Sequence, residues 1–224
     1  MTHKVLIVVT SHALLGATGH KTGLWLEELA APYQVFARAG FEVEVASPQG
    51  GPAPVDPRSE GQPSEAVKAF LADPAARAKL QSTRRLAEAR GPYDAVFVAG
   101  GHGVMWDLTS DQQLRALLAR TYEEGKVVAA VCHGPAALVG VKLSSGQPLV
   151  KGHKVAGFSD EEEQKVGLAE VVPFLLESRL KELGGHYQRG PAWAPFAVRD
   201  GRLVTGQNPA SSVRVAEEVV AALK

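Results

Sequence analysis

The stretch KVVAAVCHGPAAL, residues 126–138, decides the fold. Val127 to Val131 is an unbroken run of small and β-branched residues, the pattern of a parallel strand buried on both faces. It passes without a spacer into Cys132, His133, Gly134 and Pro135, so the chain must turn sharply at the cysteine and enter a helix near Gly134-Pro135. A side chain at such a strand-to-helix elbow stands at the carboxyl end of the sheet. The first helical amides face it there and favour a thiolate or a developing oxyanion.

The same alternation of short apolar runs and helical segments extends outward from this stretch. Strands are expected over Lys4–Thr10, Glu42–Ser47, Asp94–Gly100, Lys126–Val131 and Lys154–Phe158, with a late pair at Phe196–Val198 and Leu203–Thr205. Helical spacing is expected over Gly23–Arg38, where Pro32 should kink or loosen one turn, and in a closing amphipathic helix from Ser211. Ser110 and Gln113 resemble a capping box that opens a helix ending at Gly125. Residues 48–65 are dense in Pro, Gly and charge and read as a surface loop. Two short helices broken at Asp73-Pro74 follow it, and this excursion is expected near the mouth of the site. Together the elements predict one α/β domain over residues 1–224, a mostly parallel sheet with helices on both faces and an insertion over residues 48–90.

Composition narrows the function classes. The 24 Lys and Arg balance the 24 Asp and Glu, so no net field draws in nucleic acid or an anionic membrane. A single cysteine among 224 residues forbids an internal disulfide and argues against a thiolate-zinc site, which fits a reducing, cytoplasmic setting. The apolar run near Val5–Val9 is too short to span a membrane and poorly shaped for a signal peptide, and reads as a first strand.

A lone cysteine is commonly an inert, buried packing residue. The imidazole and tight turn that follow Cys132 are features a structural thiol does not need. The Gly-rich turn AGGHG, residues 99–103, follows the strand ending at Val98 and is expected beside the elbow, with the Gly101 N–H placed to meet an oxyanion. His12, His20 and His102 fall near element ends and are candidates to line the pocket, as are Trp106 and Tyr33 for its walls. His3, His153 and His186 read as surface or loop residues.

AVCHGPAAL, with AGGHGVMWDL before it and GFSDEEE after it, resembles the PfpI superfamily, which is related to class I glutamine amidotransferase domains. GLWLEELAAPYQVF, KVAGFSDEEE and DGRLVTGQNPASS resemble more narrowly its small, single-domain branch of heat-shock chaperones with glyoxalase III activity. The resemblance covers nearly the whole chain and implies a flavodoxin-like three-layer sandwich. It implies Cys132 as nucleophile, His133 as its imidazole partner and Glu28 as the carboxylate reaching the thiol, a choice the residues alone do not make against Glu27. It also implies an acid in SDEEE that orients His133, with Glu163 favoured by spacing from Phe158 and Asp160 the alternative. The activity implied is cofactor-free conversion of methylglyoxal or glyoxal to lactate or glycolate, or deglycation of protein adducts, by a homodimer. A holdase chaperone acting on misfolded protein and a cysteine redox sensor are rival readings; a cysteine peptidase ranks lower and glutamine amidotransfer lower still. Some relatives bind zinc through His and carboxylate ligands, but no ligand spacing here matches a catalytic zinc helix, and no required metal is expected.

Overall fold

The computed structural model describes residues 2–224. Strand β1 (Lys4–Val8) leads through a long loop to helix α1 (Glu27–Arg38) and strand β2 (Glu42–Ser47). The insertion then supplies α2 (Glu65–Ala72), α3 (Pro74–Gln81) and a two-residue strand β3 (Arg84–Arg85). Asp73 ends α2 and caps α3, its carboxylate accepting from the Ala75 N–H, so one residue does both jobs at the expected break. The chain continues through β4 (Ala95–Val98), α4 (Gln112–Glu123), β5 (Val127–Val131), β6 (Lys154–Val155), α5 (Asp160–Lys165), α6 (Leu176–Glu182) and β7 (His186–Tyr187). It closes with β8 (Ala197–Asp200), β9 (Leu203–Gly206) and α7 (Ser212–Leu223).

Seven strands form one sheet in the order β3-β2-β1-β4-β5-β9-β8, parallel throughout except for β8 against β9. From β1 the chain steps outward to β2, then returns to the other side of β1 for β4 and β5. Right-handed crossovers therefore place α1 and α4 on opposite faces, giving the flavodoxin-like sandwich. α7 packs on α1 and on β5 and β9. Every residue of β4 and β5 is buried, which is why those strands read as unbroken apolar runs. The reversal of strand order at β1 and β4 opens a crevice at the carboxyl ends of the central strands, where the AGGHG turn and Cys132 lie.

Several local expectations change. The first helix begins at Glu27, not Gly23, because Gly23 holds φ +157° against the Pro54 carbonyl and Leu24 pairs with the insertion. The cap of α4 is Asp111, whose carboxylate accepts from the Leu114 N–H, rather than Ser110; the acid one position on is the better acceptor. Only Lys154 and Val155 of the expected strand over residues 154–158 pair, and they pair with β7 in a separate two-stranded sheet. The capping box that matters sits at Ser159 and Glu162, opening α5 inside the acidic segment. Among the described residues no helix is long and apolar enough to cross a membrane.

Candidate active site

Cys132 adopts φ +60°, a left-handed conformation that costs a non-glycine residue about 1–3 kcal/mol and persists only where its surroundings impose it. Here they do: the Cys132 N–H donates to Gly206 of β9 at 3.0 Å, and the Cys132 carbonyl accepts from Phe158 N–H at 2.8 Å. The turn that follows, Gly134–Leu138, is a 3₁₀ segment with Pro135 in its first turn.

One side of the thiol is formed by Glu28 in the first turn of α1. Its carboxyl is fully buried, with Oε2 accepting from the Gly100 N–H at 2.7 Å while Oε1 has no hydrogen-bond partner. Gly100 is obligatory, since a Cβ there would lie 2.5 Å from that Oε2 and 2.8 Å from the His133 nitrogen. Burial pushes the Glu28 carboxyl up to about 8, against the lowering effect of the neighbouring Cys132 and of the Gly100 N–H. Glu28 is thus a protonated acid at neutral pH, and its unpartnered oxygen is the place for the proton. Glu27 turns away to meet the Ser64 hydroxyl.

The other side is a chain of imidazoles on one carboxylate. Glu163 Oε2 accepts from His133 Nε2 at 2.7 Å and Oε1 accepts from His102 Nε2 at 2.8 Å. Burial alone would raise Glu163, but the neighbouring His133 and the two imidazole donors outweigh it and hold the carboxyl well below its ordinary range. An ionised carboxylate only accepts, so both histidines carry hydrogen on Nε2, and a neutral imidazole so held presents Nδ1 as an acceptor. His102 Nδ1 faces Arg58 Nη2 at 3.2 Å, and His133 Nδ1 faces Cys132 Sγ at 3.4 Å. Burial, then the adjacent His133, lowers His102 to about 4, so it stays neutral. Arg58 is itself fixed by Asp56, which it meets through two nitrogens at 3.0 and 2.7 Å.

Cys132 does not behave as the elbow alone would suggest. Burial, followed by the neighbouring Glu28, raises the thiol well above an ordinary cysteine, against the lowering effect of the His133 backbone N–H. The resting group is a thiol, with His133 Nδ1 at 3.4 Å from the sulfur.

A cavity of about 310 Å³ opens over Cys132 and is lined by Gly101, His102, His133 and a largely apolar wall that includes Trp25, Phe158 and Trp193. Gly101 holds φ +95° and faces the Gly23 carbonyl too closely for any Cβ. The structure thus brings Cys132, His133, Glu28, Glu163, Gly101 and His102 together. Asp160 lies elsewhere, its carboxylate taken by the Ser178 N–H and hydroxyl. Trp106 does not wall the pocket; it stacks on His12 at 5.4 Å, and both are drawn off by the loop after β1. His20 is exposed, and Tyr33 packs edge-on against Phe70 beneath the insertion. Arg58, Trp25, Phe158 and Trp193 were not expected. Their sequence signal was slight: Asp56-Pro57-Arg58 is a capped turn within the loop, and Trp193 lies in a Pro-rich connector.

His102, His133 and Glu163 also form a group whose donor atoms lie within 4.8 Å of one another, close enough to hold a metal ion. Those atoms are already joined by hydrogen bonds, so a metal would have to displace both Nε2 protons.

The fold and elbow define a flavodoxin-like α/β protein with a buried cysteine at the strand-to-helix turn. Residues 21–222 match the DJ-1/PfpI family, and the chain belongs to it. It is 32% identical to Glyoxalase 3 of Candida albicans, across 99% of this chain and 98% of that protein. It is 33% identical to the glutathione-independent glyoxalase HSP31 of Saccharomyces cerevisiae, over the same shares. The crystal structure of the Candida glyoxalase III superposes with a TM-score of 0.91 at 31% identity, covering 99% of this chain and 98% of that one. The Rapid Encystment Protein of Francisella tularensis superposes at 0.96 and 37% identity over the whole of both chains.

Proposed function

We propose that the protein is a glutathione-independent glyoxalase that adds water across methylglyoxal or glyoxal to give lactate or glycolate, using Cys132 as nucleophile. The carrying observation is the thiol set between two unlike glutamates: a protonated Glu28 on one side and, on the other, an ionised Glu163 that aims His133 Nδ1 at the sulfur.

His133 Nδ1 accepts the thiol proton and the sulfur forms a bond to the aldehyde carbon. The aldehyde π electrons move to oxygen, which takes a proton, leaving a hemithioacetal. The N–H groups of Gly101 and His133 stabilise the transient oxyanion, and Glu163 stabilises the imidazolium. Whichever of Glu28 and the His133 imidazolium has given that oxygen its proton is then the base that removes the hydrogen from the former aldehyde carbon. A proton returned to the adjacent carbon through an enediol yields a thioester of the hydroxy acid. Water cleaves the thioester, releasing the acid and restoring the thiol. Electrons move from one substrate carbon to its neighbour, and the net reaction consumes only water.

Deglycation of methylglyoxal adducts on proteins uses the same first step and belongs to this reading, as do a homodimeric state and a cytoplasmic location. The deciding experiment is lactate formation from methylglyoxal by purified protein without glutathione. Turnover that disappears in Cys132→Ala, with the thermal melt retained, is expected; equal turnover in the variant would reject the reading.

A further inference from the structure

The size and chemistry of the cavity are mismatched to methylglyoxal, whose substituent is a single methyl group. The cavity of about 310 Å³ has room for on the order of ten waters at about 30 Å³ each. Its wall beyond the reacting atoms is mostly apolar, with Trp25, Phe158, Val166, Trp193 and Pro209, and carries Arg58 and Asn208 as its polar members. The rings form a graded series: Phe158 lies 4.4 Å from the His133 ring, and Trp193 lies 5.8 Å from Phe158. A substituent on a carbonyl held at Cys132 would therefore run along Phe158 toward Trp193.

Trp193 is more than a surface aromatic packed on its neighbour. It is 47% exposed and adopts φ +66°, a left-handed conformation rare for so bulky a residue. A buried carboxylate holds it there. Glu162 Oε1 accepts from the Trp193 N–H and from Asn208 Nδ2, each at 2.9 Å, while Oε2 accepts from the Ser159 N–H and hydroxyl. Asn208 Nδ2 also donates to the Ala194 carbonyl, fixing the next residue. The chain thus commits a buried acid, an asparagine and a strained backbone to keeping one half-exposed indole at the mouth of the cavity.

Resting on the glyoxalase reading, we infer that the preferred substrates are α-oxoaldehydes bearing an aryl or branched alkyl group, and that Trp193, with Phe158, is the residue that selects for it. The chemistry at Cys132 is unchanged: phenylglyoxal and water give mandelate, and isopropylglyoxal and water give 2-hydroxy-3-methylbutanoate.

The test compares methylglyoxal, isopropylglyoxal and phenylglyoxal with wild type, Trp193→Ala and Trp193→Phe, without glutathione, each product quantified by chromatography. Initial rates are taken before guanidinium adducts accumulate, checked by intact mass, because aryl glyoxals also modify arginine. Burial of an aryl group predicts a wild-type kcat/KM for phenylglyoxal roughly tenfold or more above that for methylglyoxal. Trp193→Ala should lower the phenylglyoxal value about tenfold more than the methylglyoxal value, mainly through KM, and Trp193→Phe should recover most of it. Methylglyoxal used as well as both larger substrates, or an equal loss on all three in Trp193→Ala, would overturn the inference while leaving the glyoxalase reading intact. Absence of turnover with every substrate would reject both.

Discussion

Glu28 and Glu163 are the same side chain, both buried, on opposite sides of the Cys132–His133 pair, yet they are held in opposite charge states. Glu28 receives one backbone N–H and leaves an oxygen without a partner, so burial wins and the acid keeps its proton. Glu163 lies beside His133 and receives an imidazole N–H on each oxygen, and together these outweigh burial. The difference shows that two carboxyl groups under similar burial take opposite shifts according to the charge and the donors aimed at them. Two carboxyl groups pushed apart in this way suit the proposed reaction, which asks for an acid and an anchored base within one site.

The largest test of this contrast is Glu163→Gln. An amide has one acceptor and one donor, so it cannot accept from both imidazoles, and either His102 or His133 must lose its partner or change tautomer. By analogy with displacing the carboxylate of a hydrolase triad, kcat/KM for methylglyoxal should fall by roughly 10³–10⁴-fold with the melt largely kept. A loss of less than tenfold would show that His133 needs no anchored tautomer.

Glu28→Gln keeps the shape and neutrality of the protonated acid, and its carbonyl still meets the Gly100 N–H. It removes only the transferable proton, so a smaller loss of about 10²–10³-fold in kcat is expected. Full activity would assign the proton transfers to His133 alone.

The same variant sharpens the comparison through stability. A carboxyl raised from 4.5 to about 8 binds its proton more tightly in the folded state, so its contribution to stability is complete at low pH and is lost as pH rises from about 4.5 to 8. This group alone costs about 3 kcal/mol at pH 7 relative to pH 4. Denaturant melts should therefore show Glu28→Gln gaining on wild type steadily between pH 5 and 8, and a constant difference would contradict the protonated state.

His102 gives the smallest effect and the opposite slope. A histidine lowered from 6.5 to about 4 contributes stability above pH 6.5 that is lost as pH falls toward 4. Relative to neutral pH, about 2 kcal/mol is lost at pH 5. His102→Gln, which retains an N–H donor for Glu163, should abolish that acid-side loss and lower kcat/KM only about tenfold. Melts at pH 5 and 7 check the first expectation, and steady-state rates the second.

Much of the framework was legible because it depends on local pattern. Buried parallel strands must be apolar on both faces, so the runs at Val5–Val9, Ala95–Val98 and Val127–Val131 announced themselves, and Cys132 followed from the abrupt end of the last. The break at Asp73-Pro74 was equally local. Trp106 was misplaced because a residue beside a Gly-rich turn has no sequence mark telling which way its ring will pack, and the loop after β1 decided it.

The sequence by itself determined an α/β chain with its one cysteine at an elbow and a short list of nearby acids. It did not separate Glu27 from Glu28 or order the acids of residues 160–163, because adjacent residues on a helix differ only in the direction they face. Tertiary structure made those choices: Glu161 joins Lys165 and Arg189, Glu162 anchors Trp193 and Asn208, and Glu163 meets two imidazoles. It also brought Arg58 from the insertion to His102 across 44 residues of sequence. Charge state and partner depend on burial and on donors arriving from distant segments, and neither is a property of a residue's immediate neighbours in the chain.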